Sequence, residues 1–370
     1  MATSDLAPDR IRRVRRRLLA HYDASARDLP WRRTDDPYAI WISEVMLQQT
    51  RVETVRERWS AFLARFPDVG SLARAREASV LKAWEGLGYY RRARNLRLAA
   101  KRLVAEHDGA LPDDVDALRS LPGFGAYTAS AVASIAFGRR TAVVDGNVQR
   151  VLARVLNEEA DVTRAAGRRS IQAAADALVP RARPGDWNQA VMELGATICG
   201  PRGPRCDACP IVADCSGHAA GRADALPVRP ARGPTPHHDI AAGIVWRDGR
   251  VLIGRRPVDG LLGGLWEFPG GKRREGETLE AACVREVEEE TGLAVRVVGP
   301  YMTLEHAYTH FRITLHLFHC EAPAGRPRPL GCEAPRFVTL RQLDRYAFPR
   351  ANRRAIDALQ AGEVEGPDGV

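Results

Sequence analysis

The stretch LPGFGAYTA, residues 121–129, decides the fold of the first part of the chain. Gly123 and Gly125 let the backbone approach a ligand closely, because glycine has no Cβ. The small and apolar residues that follow predict a helix, whose first turn offers free N–H groups and the positive end of its dipole. Such a turn is suited to bind a phosphate of a nucleic acid. A tight turn between two helices, with the glycines serving packing alone, explains the same letters.

Around this stretch the sequence pattern divides the chain into two domains and a linker. Residues 1–220 are rich in Ala, Leu and Arg, and segments such as 129–137 fit buried helices. Residues 221–237 are rich in Pro and Gly, which cannot continue a helix or a central strand. We therefore expect a mostly helical domain, a linker and a second domain over residues 238–370.

The second domain mixes strands with a helix. Asp248-Gly249 lies between two apolar runs and predicts a hairpin. Residues 311–317 alternate apolar and polar side chains, as a half-buried strand does. Leu279, Cys283 and Val287 are spaced four apart, as on one face of a helix. The expected fold class is an all-α domain followed by an α+β domain.

The composition is basic and otherwise ordinary for a globular protein. The 370 residues include 55 Lys and Arg against 46 Asp and Glu, a formal net charge of +9. A basic surface attracts polyanions, nucleic acid first among them, although a basic protein without a specific partner has the same composition. No apolar run is long enough for a membrane helix, and no apolar segment follows the arginine-rich residues 10–17. We expect a cytoplasmic protein with no membrane contact.

Four of the seven cysteines crowd into one short loop, with six, two and five residues between successive ones: Cys199, Cys206, Cys209 and Cys215. Such local clustering indicates metal ligation rather than a disulfide framework. Thiolates are soft ligands that select zinc or an iron–sulfur cluster. Ligand type leaves both open, so a structural zinc knuckle is an alternative to a cluster.

This cysteine spacing, following the 121–129 stretch, resembles the 4Fe–4S loop of the endonuclease III and MutY family of DNA glycosylases. The resemblance extends from about residue 10 to about residue 350. It implies an all-α helix-hairpin-helix DNA glycosylase domain with an iron–sulfur loop, followed by an α+β Nudix-like domain. It also implies that the four cysteines hold a 4Fe–4S cluster. By the same resemblance Gly123 and Gly125 contact DNA phosphate, and Arg202 and Arg205 present positive charge to DNA.

Within the family, position 127 of this chain distinguishes two kinds of enzyme. Bifunctional members have a lysine there, whose amine attacks the sugar and leads to strand nicking. This chain has Tyr127, and a phenol cannot form a Schiff base. The resemblance therefore implies a monofunctional glycosylase and disfavours an endonuclease III-like enzyme with lyase activity.

The resemblance to MutY implies that the released base is adenine. Its release from the sugar requires an acid and a carboxylate, because the purine anion is a poor leaving group and the sugar develops oxocarbenium character. Glu44 lies in WISEVMLQQT, residues 41–50, and points away from a helical face of Ile42, Val45 and Met46. Its sequence pattern favours a plain exposed glutamate. The resemblance instead implies the catalytic acid, with a pKa raised by a desolvated pocket.

Asp145 follows an apolar run and precedes a predicted helix, so a structural N-cap is one interpretation. The resemblance implies that this aspartate stabilises the oxocarbenium ion. The two roles are compatible, because N–H groups at a helix start favour the ionised carboxylate. Asn147 matches another active-site position of the family, and Tyr127 is similar to one that supports the aspartate.

The target adenine has to leave the duplex stack before it reacts. The resemblance places Trp31 and Arg32 in the adenine pocket and Gln189 at the adenine edge. It places Gln48 and Tyr89 beside the opposite 8-oxoguanine. For Tyr89 the local sequence by itself favours an aromatic at a helix end, packed on the core.

Residues 271–293 match the Nudix box in type and spacing, and the box is complete although relatives usually have it eroded. Glu286, Glu289 and Glu290 fall on one helix face, where a divalent cation such as Mg²⁺ would relieve their repulsion. A solvated acidic helix is the alternative. The stretch Tyr308-Thr309-His310 resembles the loop with which the family's Nudix-like domain contacts 8-oxoguanine.

Together these features predict a monomeric, monofunctional adenine DNA glycosylase of base excision repair. Its expected partner is double-stranded DNA in which adenine is mispaired with 8-oxoguanine or guanine. The expected reaction is acid-catalysed hydrolysis of the N-glycosidic bond after base flipping. The alternative is a bifunctional protein whose Nudix box also hydrolyses oxidised nucleoside triphosphates.

Overall fold

The computed structural model describes residues 6–230, 233–308, 310–322 and 324–362. The chain folds into two compact units, the first comprising Met1–Arg74 with Asn95–Arg232 and the second Ala75–Arg94 with Gly233–Val370. The later change of unit falls inside the expected linker. The segment Ala75–Arg94 lies within the stretch predicted as the helical domain, but it packs as part of the second unit.

The described part of the chain forms helices in the first unit, and strands together with further helices in the second. The helices are α1 (Pro8–Ser25), α2 (Pro37–Leu47), α3 (Val52–Arg65), α4 (Val69–Arg74), α5 (Glu77–Ala83), α6 (Arg91–Glu106), α7 (Val115–Ser120), α8 (Ala126–Ile135), α9 (Gly146–Leu156), α10 (Ala165–Leu178), α11 (Pro184–Thr197), α12 (Ser216–Ala219), α13 (Leu279–Thr291) and α14 (Arg350–Ala361). The strands are β1 (His237–Arg247), β2 (Arg250–Arg255), β3 (Trp266–Glu267), β4 (Gly270–Lys272), β5 (Arg296–Ala307), β6 (Arg312–Glu321) and β7 (Glu333–Val338).

Helix α2 is buried on all sides. It begins with Pro37 in the first turn, and the side chain of Asp36 caps it by accepting hydrogen bonds from the backbone N–H groups of Tyr38 and Ala39. Every residue from Tyr38 to Met46 is buried, although the sequence predicts only one apolar face. A helix that is enclosed all round exposes no face to water. Any charged residue on α2 is therefore removed from solvent.

The turn between α7 and α8 carries the two glycines of residues 121–129, and they serve different purposes. Gly123 has a φ of +81°, and a Cβ there would approach the Cβ of Asn95 to 2.6 Å. Packing and backbone conformation therefore both require glycine at this position. Gly125 begins α8 as its N-cap, and a Cβ there would meet nothing within 4 Å. The space at Gly125 is open for a ligand.

Helix α9 presents one apolar face to the core of the first unit. Val148, Val151, Leu152 and Val155 pack there with side chains of α1, α10 and α11. The predicted N-cap is confirmed, because the carboxylate of Asp145 accepts a hydrogen bond from the backbone N–H of Val148. The first turn of α9, outside the apolar face, is thus where the chain offers polar groups.

The second unit is built on one mixed sheet. The strands lie in the order β3-β2-β1-β6-β5, with β4 beside β1 and β7 beside β2, and β1 runs parallel to β6. The hairpin predicted at Asp248-Gly249 is confirmed, since both residues have positive φ and join antiparallel β1 and β2. The predicted helix and the predicted alternating strand are confirmed as α13 and β6.

Helices cover both faces of this sheet. Ala282, Cys283 and Val287 of α13 pack on one face, and Ala355, Ile356 and Leu359 of α14 lie in the core on the other. Two covered faces require apolar residues on both sides of the central strands, as β1 shows. Among the described residues, no helix combines the length and apolar character that a membrane span needs.

Candidate active site

Glu44 is a buried carboxyl group rather than a surface one. It lies on α2 with 5% of its surface exposed, and its Oε2 accepts a hydrogen bond of 2.7 Å from the Tyr127 hydroxyl on α8. The pKa of Glu44 is raised to about 7, chiefly by burial and also by the charge of Asp145, while the hydrogen bond from Tyr127 and the charge of Arg32 oppose the shift. The exposed-glutamate interpretation is wrong. A carboxyl with a pKa near neutrality is poised to donate a proton.

Asp145 lies at the start of α9 with both carboxylate oxygens bonded. Oδ1 accepts from the backbone N–H of Val148 at 2.7 Å, and Oδ2 accepts from the side-chain amide of Asn147 at 2.8 Å. Burial nonetheless raises the pKa of Asp145 overall, while these hydrogen bonds and the charge of Arg150 lower it. The helix start thus favours the ionised form, as expected, but it offsets only part of the effect of burial.

Tyr127 interacts electrostatically with both carboxyl groups, Glu44 and Asp145. Burial raises the pKa of its phenol well above the ordinary value, and the charges of Glu44 and Asp145 raise it further. The two acids and the phenol therefore lie within interaction range of each other. The hydroxyl proton of Tyr127 is donated to Glu44, and its support of the aspartate stays a prediction. The position of Tyr127 in the first turn of α8 directs the phenol toward α2.

Trp31 and Arg32 form a short 3-10 turn, Pro30–Arg32, near this site. Trp31 is buried with its ring 6.2 Å from that of Trp59. Arg32 donates 2.8 Å to Glu193 on α11 and lies over the ring of Tyr22. Because Arg32 lowers the pKa of Glu44, its guanidinium also acts on the acid itself. Gln189 is partly exposed on α11.

Three polar residues that sequence reasoning missed hold this site together. Glu193 binds Arg27 and Arg32, and although burial opposes it, these hydrogen bonds lower its pKa to about 2. Asn188 accepts from the N–H of Val143 at 3.1 Å and so fixes the segment that leads into α9. Arg150 donates 2.8 Å to Oδ1 of Asn147. In the sequence these residues are ordinary polar positions on helices, and only a buried partner distinguishes them.

The residues expected beside the opposite base are divided between the units. Gln48, at the end of α2, donates 2.9 Å to the Thr128 hydroxyl in the first unit. Tyr89 belongs to the second unit, has a φ of +47° and is 42% exposed. The interpretation of Tyr89 as a core aromatic is therefore wrong. Tyr308 is half-buried and stacked 4.7 Å from Phe311.

The rest of the expected lesion loop lies at the end of the β5–β6 hairpin of the second unit. His310 is exposed there. Thr309, also expected to contact the lesion, lies outside the described residues.

The four clustered cysteines line one pocket together with side chains of α9 and α11. The guanidinium of Arg154, buried in α9, donates 3.2 Å to Cys199 Sγ and 2.7 Å to the carbonyl of Gly200. In the described ranges no group of three or more His, Cys, Asp or Glu side chains is arranged to hold a single metal ion. Four thiols that line one pocket are soft donors of the kind that hold zinc or an iron–sulfur cluster.

The cysteine loop is tied to distant parts of the first unit and carries basic residues outward. Arg13 of α1 donates 2.8 Å to the buried carboxylate of Asp214, next to Cys215. Arg10 donates 2.7 Å to the Asp214 carbonyl. Arg202 and Arg205 are both exposed, and the guanidinium of Arg205 donates 2.6 Å to the carbonyl of Thr197.

The Nudix-box carboxylates take part in a network of ion pairs. Arg285 binds Glu277 at 2.7 Å, Glu286 at 2.7 Å and Glu289 at 3.2 Å. Glu290 accepts 3.2 Å from the N–H of Gly270, and burial raises its pKa to about 8, with the charge of Glu267 adding to the shift. A freely solvated acidic helix does not describe this arrangement. The Mg²⁺ predicted at Glu286, Glu289 and Glu290 stays a prediction.

Both units of the chain are similar to known protein families. Residues 42–220 match the model of the HhH-GPD superfamily base excision DNA repair protein, and residues 241–358 match the NUDIX domain. The chain is similar to the adenine DNA glycosylase of Homo sapiens, with 33% identity over 399 residues, covering 93% of this chain and 73% of that protein. It is 45% identical over 205 residues to that of Mycolicibacterium smegmatis, covering 55% of this chain and 69% of that protein.

A solved structure has a fold similar to that of the helical unit. The structure of a thermostable thymine-DNA glycosylase is 29% identical and superposes with a TM-score of 0.53, covering 57% of this chain and 98% of that one. The predicted helix-hairpin-helix glycosylase fold followed by a Nudix-like domain is thereby confirmed. On these similarities the chain belongs to the adenine DNA glycosylase family and is an N-glycosylase that acts on DNA in base excision repair.

Proposed function

We propose that this enzyme removes adenine mispaired with 8-oxoguanine or guanine from double-stranded DNA. The observation that carries the proposal is the buried Glu44 carboxyl, whose pKa is about 7 and whose charge interacts with that of Asp145. One group near neutrality and a second carboxylate are what acid-catalysed cleavage of a glycosidic bond requires. Adenine as the base is supported by relatives named adenine DNA glycosylase.

In the proposed reaction, Glu44 gives its proton to a ring nitrogen of the extruded adenine. The C1′–N9 bond breaks, the bonding electrons leave with the base, and the sugar becomes an oxocarbenium ion. Asp145, with both oxygens held by hydrogen bonds, stabilises that positive charge until water adds to C1′ and gives one proton to the ionised Glu44, which restores the acid. Tyr127 donates to Glu44 and holds the orientation of the acid.

The product of this reaction is an abasic site in an intact strand. Strand nicking through a Schiff base needs an amine, and a phenol stands at position 127. We therefore propose a monofunctional enzyme, and its monomeric state and cytoplasmic location stay predictions.

The four cysteines are proposed to hold a 4Fe–4S cluster, for which thiol donors around one pocket are suited. When bound, the cluster would cross-link the loop that follows α11 and so fix its shape. Arg202 and Arg205 would then present their charges to DNA phosphate from a rigid loop. Gly125 supplies a second phosphate site at the start of α8, where the structure leaves open space.

Recognition of the opposite 8-oxoguanine is proposed for Gln48, Tyr89, Tyr308 and His310. Tyr89 and His310 are exposed, as contact with a base requires. An exposed aromatic ring gains by stacking on a base. The ring of Phe311 stacks on that of Tyr308 and so helps to fix its orientation.

A single-turnover excision assay tests the proposal. Duplexes with adenine opposite 8-oxoguanine, guanine or thymine are incubated with the full chain, and strand cleavage is scored with and without hot alkali. We expect fast excision opposite 8-oxoguanine, slower excision opposite guanine and cleavage only after alkali. Excision that ignores the opposite base, or nicking without alkali, would overturn the assignment.

A further inference from the structure

The segment Ala75–Arg94 interrupts the first unit in sequence but is held by the second. Three hydrogen bonds connect it to residues 346–348, which we call the strap. Lys82 Nζ donates 3.0 Å to the Tyr346 carbonyl. The N–H of Phe348 donates 2.9 Å to Glu85 Oε1, and the Tyr90 hydroxyl donates 3.3 Å to the Phe348 carbonyl. These hydrogen bonds lie within one compact unit.

The strap is itself a fixed part of the sheet domain. The carbonyl of Ala347 accepts 2.9 Å from the N–H of Trp266 on β3. The ring of Tyr346 lies 4.7 Å from that of Trp266, and Phe348 is fully buried with its ring 6.3 Å from that of Phe268. A group bonded to the strap is therefore bonded to a rigid element.

Glu85 uses both of its carboxylate oxygens in this connection. Oε1 accepts from the strap, and Oε2 pairs with Lys82 at 2.6 Å. The side chains of Lys82 and Glu85 are only 22% and 14% exposed. Water has little access to this site and cannot readily replace the carboxylate as hydrogen-bond acceptor. The loss of Glu85 therefore leaves the buried N–H of Phe348 without its acceptor.

The turn that follows Glu85 presents Tyr89 in an uncommon backbone conformation. Gly86, Gly88 and Tyr89 all have positive φ, and for tyrosine this region is rarely populated. Trp84 Nε1 donates 3.1 Å to the carbonyl of Gly88, and Arg92 donates 3.0 Å to the same oxygen. These two hydrogen bonds close the turn, and the flanking residues Glu85 and Tyr90 connect it to the strap.

We infer that Lys82, Glu85 and Tyr90 are positioning residues for lesion recognition, because they fix Tyr89 on the unit that also carries Tyr308. The inference rests on the proposed function of Tyr89 and Tyr308 at the opposite base. It places the two aromatic side chains proposed to read the lesion in one compact unit, although Tyr89 lies in the sequence between helices of the other unit, which carries Gln48. The reacting groups Glu44, Tyr127 and Asp145 all belong to the first unit.

The test measures a discrimination ratio, defined as the single-turnover excision rate opposite 8-oxoguanine divided by the rate opposite guanine. In the full-length Glu85→Ala variant we expect the ratio to fall about tenfold, because a buried hydrogen bond and an ion pair are lost together. The rate opposite guanine should stay within about twofold, since the acid–base groups are untouched. Glu85→Gln should keep a ratio near that of the wild type, because its amide oxygen still accepts from Phe348. Glu275→Ala, at an exposed glutamate of the same unit, is the matched control.

Two further measurements distinguish a failure of the proposed role of Tyr89 from a failure of the positioning inference. If Tyr89→Ala keeps the wild-type ratio, the proposed role of Tyr89 is wrong. If Tyr89→Ala lowers the ratio and Glu85→Ala does not, the role of Tyr89 stands and the positioning inference is overturned. Amide hydrogen exchange should show protection lost at residues 346–348 in Glu85→Ala and kept in α13. If α13 also loses protection, Lys82→Met is used instead, and an unchanged ratio in that variant would overturn the inference.

Discussion

The replacement of Glu44 by glutamine is expected to abolish excision and to stabilise the protein at alkaline pH. The pKa of this carboxyl is about 7 in the folded chain, against an ordinary value of 4.5. A difference of that size corresponds to about 3 kcal/mol of folding free energy. Glutamine has a similar shape but no acidic proton to donate. Its amide oxygen can still accept the hydrogen bond from Tyr127.

The sign of the effect follows from where the proton binds. Below pH 4.5 Glu44 is protonated in the folded and the unfolded chain, so ionisation costs nothing. As the pH rises from 4.5 through about 7, the unfolded chain releases the proton while the folded chain retains it, and stability falls. Above pH 7 the full cost of about 3 kcal/mol applies. Because Glu44 is almost fully buried, little of this effect is screened by solvent.

Scanning calorimetry of wild type and Glu44→Gln at pH 5 and pH 8 measures the effect. We expect the variant's melting temperature to exceed that of the wild type by about 6–12 °C at pH 8 and by only about 2 °C at pH 5. Glu57→Gln on α3, at an exposed glutamate of the same unit, is the control and should give no pH-dependent difference. An equal difference at both pH values would refute the raised pKa, and unimpaired excision by Glu44→Gln would refute its role as the acid.

Three further outcomes are expected. Tyr127→Phe removes the hydrogen bond that lowers the pKa of Glu44, so the alkaline fall of the single-turnover rate should move up by about one pH unit; an unmoved fall would contradict this. Gly195→Ala would place a Cβ 2.6 Å from that of Asn147, so calorimetry should show a loss of about 1–3 kcal/mol together with slower excision, whereas Gly200→Ala, with more space, should do neither. Iron and sulfide analysis should find about four of each per chain, and stoichiometric zinc would count against the cluster.

Much of the fold could be predicted because short stretches of sequence determine it. Asp248-Gly249 specifies a hairpin through the positive φ that both residues adopt. Asp145 specifies a helix start through the hydrogen bond that its own carboxylate accepts. The four-cysteine spacing places all four thiols at one pocket because few residues separate them. In each case the determining interaction is local in sequence.

The features that local sequence patterns did not predict depend on interactions between residues far apart in the chain. The pattern around Glu44 indicates an exposed glutamate, and only the family resemblance implied the burial that α8 and the surrounding core provide. Glu193 is an ordinary helical glutamate until Arg27 and Arg32 reach it from a distant segment. The membership of Ala75–Arg94 in the second unit depends on the strap, more than 250 residues later. Periodicity along one helix cannot report any of these partners.

Burial raises the pKa of both proposed catalytic carboxyl groups, so burial by itself cannot decide which is the proton donor and which stabilises the oxocarbenium ion. The difference lies in their hydrogen bonds. Glu44 accepts from the phenol of Tyr127 against full burial, whereas Asp145 has a backbone N–H, the Asn147 amide and the nearby charge of Arg150. Each donor to a carboxylate favours the ionised form. The proton that the pair holds near neutral pH is therefore expected on Glu44, and the charge on Asp145, because α9 begins at Asp145 and α2 encloses Glu44.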